Sequence, residues 1–239
     1  MHNTILDNIS IILCNTSNSG NIGTSARAMK TMGLYNLVLV SPEAKIDDYC
    51  YALSTNASDI LDNCVVVDNL NQALSKKTLA FAMTARKREF NYFLQTPCEA
   101  GPDIISAISN GSKVAIVFGC EKSGLTIEQL EQCNRMITIP ANLQFSSLNL
   151  SHAVQIIAYE IFKQFNGNID HLKKIKNKKK STIADNQGVI THIDNLLDKT
   201  NYFDNKNRDL VLRRLKYIIN KADLNQNEVK LIRGMLSKF

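Results

Sequence analysis

Short apolar runs alternate with segments of helical periodicity along residues 1–165. Runs that are apolar throughout are typical of strands buried on both faces, as in a parallel sheet covered by helices. The alternation therefore predicts an α/β domain with a mostly parallel sheet over residues 1–165. The predicted strands are Ile9–Asn15, Leu37–Ser41, Cys64–Asp68, Thr78–Ala85, Lys113–Gly119 and Met136–Ala141.

The predicted helices of this domain are Ile22–Met32, Asp47–Ala57, Leu70–Ser75, Pro102–Ser109, Thr126–Gln132 and Ser147–Phe165. Ligands of open α/β sheets bind at the carboxyl ends of the strands. Three glycine- or asparagine-containing turns follow predicted strands, at Asn18–Arg27, Phe118–Gly124 and Ile139–Leu150, and form the candidate site. The serines and the asparagine of the third turn either cap a helix or cradle a small polar ligand, and both interpretations stay open.

The composition changes after Phe165. Residues 166–187 are polar and lysine-rich, which predicts a basic linker. Helical periodicity then returns and predicts a small module of three helices over residues 188–239, beginning near Val189. Asn225 with Glu228 fits a capping box that opens its last helix.

The positive charge is concentrated in the C-terminal third. The formal net charge is +6, yet residues 1–160 hold 11 Lys or Arg against 14 Asp or Glu, whereas residues 161–239 hold 17 against 8. This asymmetry indicates an appendage that binds a polyanion. For Lys173–Lys180 alone, a solvated linker is an equally good interpretation.

Several classes of site are disfavoured by the motifs. The first turn lacks the third glycine of a dinucleotide fingerprint, and Gly119–Gly124 lacks the lysine that follows a P-loop. The four histidines lie far apart in sequence, and no GxSxG motif occurs, so neither a metal nor a serine nucleophile is expected. No signal peptide, membrane-length apolar run or CxxC pair is recognisable, which predicts a cytoplasmic protein with free thiols.

The three turns together resemble the motifs of the SpoU branch of the SPOUT RNA methyltransferases. Asn21, Gly23 and Arg27 match the first motif; Phe118, Gly119, Glu121, Gly124 and Leu125 match the second; Ile139, Pro140, Ser147, Asn149, Leu150, Ala153 and Val154 match the third. Each motif is weak alone, but all three occur in the family's order. The resemblance is strongest to the members that methylate the ribose 2′-hydroxyl of cytidine and uridine in tRNA.

The resemblance implies an α/β fold with a deep C-terminal trefoil knot that binds S-adenosylmethionine and releases S-adenosylhomocysteine. By position, the implied cofactor contacts are Met83, Thr84, Ala85, Gly119, Ile139, Ser146, Ser147, Leu148 and Asn149. The family acts as a homodimer in which Arg27 of one subunit reaches the cofactor site of the other.

The implied catalytic residues are Arg27, Asn21, Glu121, Ser147 and Asn149. A guanidinium stays protonated, so we expect Arg27 to hold a phosphate and stabilise the developing alkoxide rather than act as a base. Asn21 and Arg27 are expected to face the RNA. Glu121 is expected to position Arg27 or the ribose, unless it is only a charge before the next helix.

The resemblance thus implies a tRNA 2′-O-ribose methyltransferase, with the pyrimidine at tRNA position 32 as the expected target. Methylation of ribosomal RNA and a non-catalytic RNA-binding role are the alternatives. The basic tail is expected to contact tRNA phosphates through Lys173–Lys180, Lys206, Arg208, Arg213, Arg214 and Lys216, and its helices also to serve dimer formation.

Overall fold

Seven strands form one sheet in the computed structural model, which describes residues 4–85, 94–142, 144–167, 180–203 and 207–238. The strands are β1 Ile9–Cys14, β2 Asn36–Val40, β3 Val65–Val67, β4 Leu79–Met83, β5 Leu94–Gln95, β6 Val114–Phe118 and β7 Arg135–Ile137. Their order is β3-β2-β1-β6-β4-β7-β5, and all six pairings are parallel. The predicted α/β class is confirmed.

The helices of the α/β body are α1 Ser19–Thr31, α2 Asp48–Ser54, α3 Ser58–Asp62, α4 Leu70–Leu74, α5 Pro97–Ser109, α6 Ile127–Glu131 and α7 Leu150–Gly167. Successive residues of the central strand face opposite layers. Ile9, Ile11 and Leu13 pack in the layer that contains α1, α5 and α7. Ile12 and Cys14 pack in the layer that contains α4 and α6. Both faces of the sheet are therefore buried.

The order of the strands places four turns beside one another. The chain runs outward from β1 to β2 and β3, and β6 later pairs with β1 on its other side. The carboxyl ends of β1, β6, β4 and β7 are consequently neighbours at one edge of the sheet, at the point where the direction of winding reverses.

Several predicted boundaries differ from the structure. The predicted helix Asp47–Ala57 is interrupted because Thr55 has a φ of 52°, and α3 then begins at Ser58. Helix α5 begins at Pro97, not Pro102, because Thr96 and Glu99 form a capping box ahead of it. Strand β5 pairs with β7. It has only two residues, and a strand of this length is too short for a periodic pattern to reveal.

The tail forms three helices, as predicted, with different bounds: α8 Ile183–Lys199, α9 Arg208–Lys221 and α10 Gln226–Leu236. Helix α7 runs to Gly167 and α8 begins at Ile183, so both helices extend into the predicted linker 166–187. A capping box of Thr182 and Asp185 starts α8 earlier than its apolar periodicity suggested. The division into domains stays a prediction.

The tail packs against the body of its own chain. The amide of Ile183 donates to the carbonyl oxygen of Lys77 at 2.7 Å. Arg213 of α9 forms an ion pair with Glu131 of α6 at 2.9 Å.

In the part of the chain that the structure describes, no helix has the length and apolarity to cross a membrane. The trefoil knot stays a prediction.

Candidate functional site

A cavity of about 390 Å³ lies at the carboxyl ends of β4, β6 and β7. Eight of the nine residues predicted to contact a cofactor line it: Met83, Thr84, Ala85, Gly119, Ile139, Ser146, Ser147 and Leu148. Asn149, the ninth, does not line it. Lys122 and Ser123 also line the cavity and were not predicted. They lie inside the second motif but match none of its fixed positions.

Glycine is required where β6 enters the loop that forms one wall of the cavity. A Cβ on Gly119 would lie 2.1 Å from the carbonyl carbon of Gly124, and Gly124 itself has a φ of +70°. The loop closes through a bridge between Cys120 and Gly124, whose amide donates to the Cys120 carbonyl oxygen at 2.8 Å. The glycines of the second motif therefore shape the wall of the cavity.

The glycine of the first motif serves helix packing. A Cβ on Gly23 would lie 2.1 Å from the carbonyl oxygen of Cys50, so only glycine lets α1 approach α2 this closely. This close approach fixes where the first turn of α1, with Asn18 as its cap, stands beside the sheet.

Side chains from the three turns meet in one hydrogen-bond network beside the cavity. The Nδ2 of Asn149 donates to Oδ1 of Asn21 at 3.0 Å, and Nδ2 of Asn21 donates to Oε1 of Glu121 at 2.9 Å. The amide and hydroxyl of Ser17 donate to Oε2 of Glu121 at 3.0 and 3.1 Å. Segments 100 and 128 residues apart in sequence are thus joined at one edge of the sheet.

The carboxylate fixes the orientation of both amides in this network. A carboxylate only accepts hydrogen bonds, so Nδ2 of Asn21 must face Glu121 and its Oδ1 must face Asn149. Each amide nitrogen has two N–H groups, and no described residue accepts the second one of Asn21 or Asn149. Two oriented donors therefore remain for a ligand.

Glu121 is ionised at neutral pH. Partial burial raises the pKa of its carboxyl, but the hydrogen bonds from Asn21 and Ser17 together outweigh burial, and the pKa lies below its usual value. Both of its oxygens are occupied, which makes it a poor proton acceptor. Among the described residues its side-chain contacts are Asn21 and Ser17, and the expectation that it positions Arg27 or the ribose stays a prediction. Ser17 was missed because a serine after a strand carries no distinctive signal.

Arg27 lies apart from the cavity of its own chain. It is exposed, it does not line the cavity, and among the described residues it forms no hydrogen bond or ion pair. Six residues separate it from Asn21, a rotation of roughly 240° on an α-helix, so the two side chains project in different directions. The expectation that Asn21 and Arg27 both face the RNA stays a prediction.

The third turn both caps a helix and lines the cavity. Oδ1 of Asn149 accepts from the amide of Ser151 at 2.9 Å and from its hydroxyl at 2.8 Å, at the start of α7. Ser146 and Ser147 line the cavity instead. Because Asn149 ends the turn in this way, α7 begins at Leu150 rather than at Ser147.

Three of the tail cations named from the sequence form ion pairs within the described part of the chain. Arg208 pairs with Asp194 and Asp198, Lys180 with Asp223, and Arg213 with Glu131. Partial burial lowers the pKa of Lys216, which lies near Glu131. Arg214 is exposed. Lys173–Lys179 and Lys206 lie outside the described residues.

The described residues also bear on metal binding. Among them, no group of three or more His, Cys, Asp or Glu side chains is placed to hold a metal ion.

Comparison with known protein families covers both parts of the chain. Residues 8–159 match the SpoU rRNA Methylase family, and residues 184–239 match the C-terminal domain of the tRNA methyltransferase TrmJ. The two matched regions correspond to the α/β body and to helices α8–α10.

Individual relatives cover nearly the whole chain. The tRNA (cytidine/uridine-2′-O-)-methyltransferase TrmJ of Sodalis glossinidius is 39% identical over 98% of this chain and 92% of its own. The enzyme of the same name from Photorhabdus laumondii is 36% identical over 98% and 97%. The crystal structure of TrmJ from Z. mobilis superposes with a TM-score of 0.81 at 30% identity, covering 96% of this chain and 97% of that one.

Proposed function

The chain belongs to the SpoU rRNA Methylase family, and from this premise we propose that it methylates tRNA. The reaction is transfer of a methyl group from S-adenosylmethionine to the ribose 2′-hydroxyl of a cytidine or uridine, with position 32 as the target. The observation that carries the proposal is the meeting of all three motifs around one cavity and one hydrogen-bond network.

The cavity fits the proposed cofactor. Its volume of about 390 Å³ lies in the range of small-molecule sites. Its wall combines apolar side chains, such as Met83, Leu125 and Ile139, with the polar Thr84, Ser146 and Ser147. This mixture suits an adenosine joined to an amino acid. When bound, the cofactor supplies an electrophilic methyl group on a sulfonium.

The protein's own contribution is to position and polarise the 2′-hydroxyl. A methyl transfer needs an in-line approach, and the oxygen becomes more nucleophilic as its proton leaves for solvent water; the products are the 2′-O-methyl ribose, S-adenosylhomocysteine and that proton. The free N–H groups of Asn21 and Asn149 are oriented donors for the ribose, held in place by Glu121. Ser147, in the cavity wall, contacts the cofactor or the reacting hydroxyl.

We propose that a homodimer completes the site. Arg27 is exposed and outside its own cavity, which suits a side chain that acts on a neighbour. The partner subunit's Arg27 would then hold the adjacent phosphate in a bidentate manner and stabilise the developing alkoxide. It would not serve as a base, because a guanidinium stays protonated.

Complementation tests this sharing. In a mixture of Arg27→Ala and Asn149→Ala chains, a heterodimer has one intact site if Arg27 acts across subunits and none if it acts within its own. Random assembly then restores roughly one quarter of the wild-type sites, since half of the dimers are heterodimers. Co-expressed chains that remain inactive while forming heterodimers would exclude the shared site.

The tail is proposed to bind the tRNA body through exposed cations such as Arg214. Electrostatic contacts to phosphates give affinity and register but no sequence information. Because tRNA is the proposed substrate, we also infer the cytoplasm as the place of action.

The decisive experiment is methyl transfer from labelled S-adenosylmethionine to unmodified tRNA transcripts, mapped by nucleoside and fragment mass spectrometry. A 2′-O-methylated pyrimidine at position 32 is expected. Methylation at another tRNA position would retain the reaction and change the target. Methylation of ribosomal RNA alone would reject tRNA as substrate, and failure to bind the cofactor in calorimetry would reject the enzymatic role.

A further inference from the structure

Phe145 is the most exposed large apolar side chain among the described residues, with 79% of its surface accessible. The backbone amides of Phe145 and of Gln144 before it are nonetheless hydrogen-bonded. The amide of Phe145 donates to the carbonyl oxygen of Asn142 at 3.1 Å, and the amide of Gln144 donates to Oδ1 of Asn142 at 2.9 Å. A hydrogen-bonded turn thus holds a phenyl ring out into water.

The position of this ring relates it to the candidate site. The next three residues along the chain, Ser146, Ser147 and Leu148, all line the cavity. Phe145 therefore stands at the rim of the cavity, on the same turn that leads to Asn149. An exposed phenyl ring gains free energy when something covers it, and an aromatic face prefers a planar partner.

We propose that Phe145 stacks on the base of the nucleotide whose ribose is methylated, an inference that rests on the proposed function. A ribose placed for methyl transfer at the cavity brings its own base to the rim, because the two are directly bonded. Unstacked bases of single-stranded RNA loops are commonly recognised by stacking on aromatic side chains. The hydrogen bonds to Asn142 reduce the cost of ordering the ring at the moment of binding.

Stacking at this position also accounts for tolerance between two pyrimidines. Cytidine and uridine differ at the 4-amino and 4-oxo groups on the edge of the ring, whereas both present a similar planar face. A phenyl ring that stacks on the planar face of the base binds either pyrimidine, because stacking is tolerant of sequence.

A double-mutant cycle that combines one substitution in the protein with one change in the RNA tests the contact between Phe145 and the base. The RNAs are two tRNA transcripts with uridine or 5,6-dihydrouridine at the methylated position, the latter having a puckered ring but the same 2′-hydroxyl. For the wild type, we expect KM to be about tenfold higher with dihydrouridine. Phe145→Ala is expected to raise KM for the uridine substrate about tenfold and to remove most of the difference between the two RNAs, whereas Phe145→Tyr restores it.

The controls separate stacking from other roles of the ring. Val66→Ala removes another exposed apolar side chain, on the edge strand β3, and should leave KM unchanged. Weaker cofactor binding by Phe145→Ala in calorimetry would place the ring on the cofactor, and a dissociated dimer in sedimentation would place it on the partner; either overturns the proposal. A uridine preference that persists in Phe145→Ala also overturns it. A wild-type protein that methylates no tRNA rejects the proposed function itself.

Discussion

The polar groups of the body and the cations of the tail are used in different ways. In the body, Ser17, Asn21, Glu121 and Asn149 bind one another and leave oriented donors at the edge of a cavity. In the described part of the tail, some charged groups neutralise each other, as Arg208 does with Asp194 and Asp198. The body network therefore prepares a small, directional site, whereas the tail contributes charge over a broad surface.

The comparison also shows how differently the two regions are stabilised. Strands β1 and β6 are buried along their full length, while α9 has no buried residue at all. A change in the body network is expected to alter the chemical step. A change in the tail is expected to alter affinity or local stability instead.

The largest effect is expected from Arg27→Ala. Loss of a charged group that stabilises a developing alkoxide lowers kcat by about a hundred- to a thousandfold. Cofactor affinity should remain near the wild-type value, because the proposed role of Arg27 is to hold a phosphate of the RNA and not the cofactor. Methyl-transfer kinetics and calorimetry measure the two quantities.

Arg27→Lys is the matched variant for that prediction, since it keeps the charge but loses the bidentate fork. An intermediate kcat is expected. Loss of cofactor binding in Arg27→Ala would contradict the assignment and move Arg27 into the cofactor site.

A smaller loss is expected from Glu121→Gln. The new amide presents a donor where Asn21 or Ser17 also donates, so one of the charge-assisted hydrogen bonds is lost and Asn21 is no longer held. Such a bond is worth roughly 1.5–3 kcal/mol, so kcat should fall about ten- to a hundredfold. Glu128→Gln, on the exposed face of α6, is the control and should behave as wild type.

The pH dependence of stability provides a separate measurement on Glu121. Its pKa is lowered in the folded protein, so its ionised form stabilises the fold above its ordinary pKa, and this contribution is lost as the pH falls through the lowered value. The difference in unfolding free energy between wild type and Glu121→Gln should accordingly shrink below about pH 4. A difference that changes between pH 6 and 8 would show that another group is responsible.

Tail cations are expected to have weaker and salt-dependent effects. Arg214 is exposed, so Arg214→Ala should raise the Kd for tRNA several-fold and reduce the slope of log affinity against log salt by about 1. Arg208 is held by two carboxylates, so Arg208→Ala should leave that slope unchanged. Equal slopes for both variants would show that the tail does not contact phosphates through Arg214.

Local sequence patterns predicted the strands of the body far better than the contacts between its side chains. The strands β1, β2, β4 and β6 were evident because burial on both faces gives continuous apolar runs. The family resemblance likewise indicated eight residues of the cavity. The bond between Asn21 and Asn149 joins residues 128 positions apart, and no local pattern encodes such a distance.

In the tail, the sequence predicted the overall charge but not the partners of the charged groups. Its charge was readable from composition, yet the pairing of Arg213 with Glu131 was not, since a cation in a sequence does not reveal which acid faces it. Counting positive charges therefore overestimated the number of side chains available to RNA. The start of α8 was misplaced for a related reason, because the cap of Thr182 and Asp185 outweighs a weak apolar pattern.

The smallest effect is expected where the two regions join. Oγ1 of Thr182 accepts from the amide of Asp185 at 3.1 Å, and the neighbouring Ile183 is bonded to Lys77 of the body. Thr182→Ala should weaken the start of α8 by about 1 kcal/mol, seen as faster hydrogen exchange in α8, with kcat unchanged. Thr191→Ala, in the middle of the same helix, removes a hydroxyl without a cap and should not weaken the helix, because alanine has the higher helix propensity. If Thr182→Ala also speeds exchange in β4 and β6, then the tail stabilises the body, and the two regions unfold as one cooperative unit.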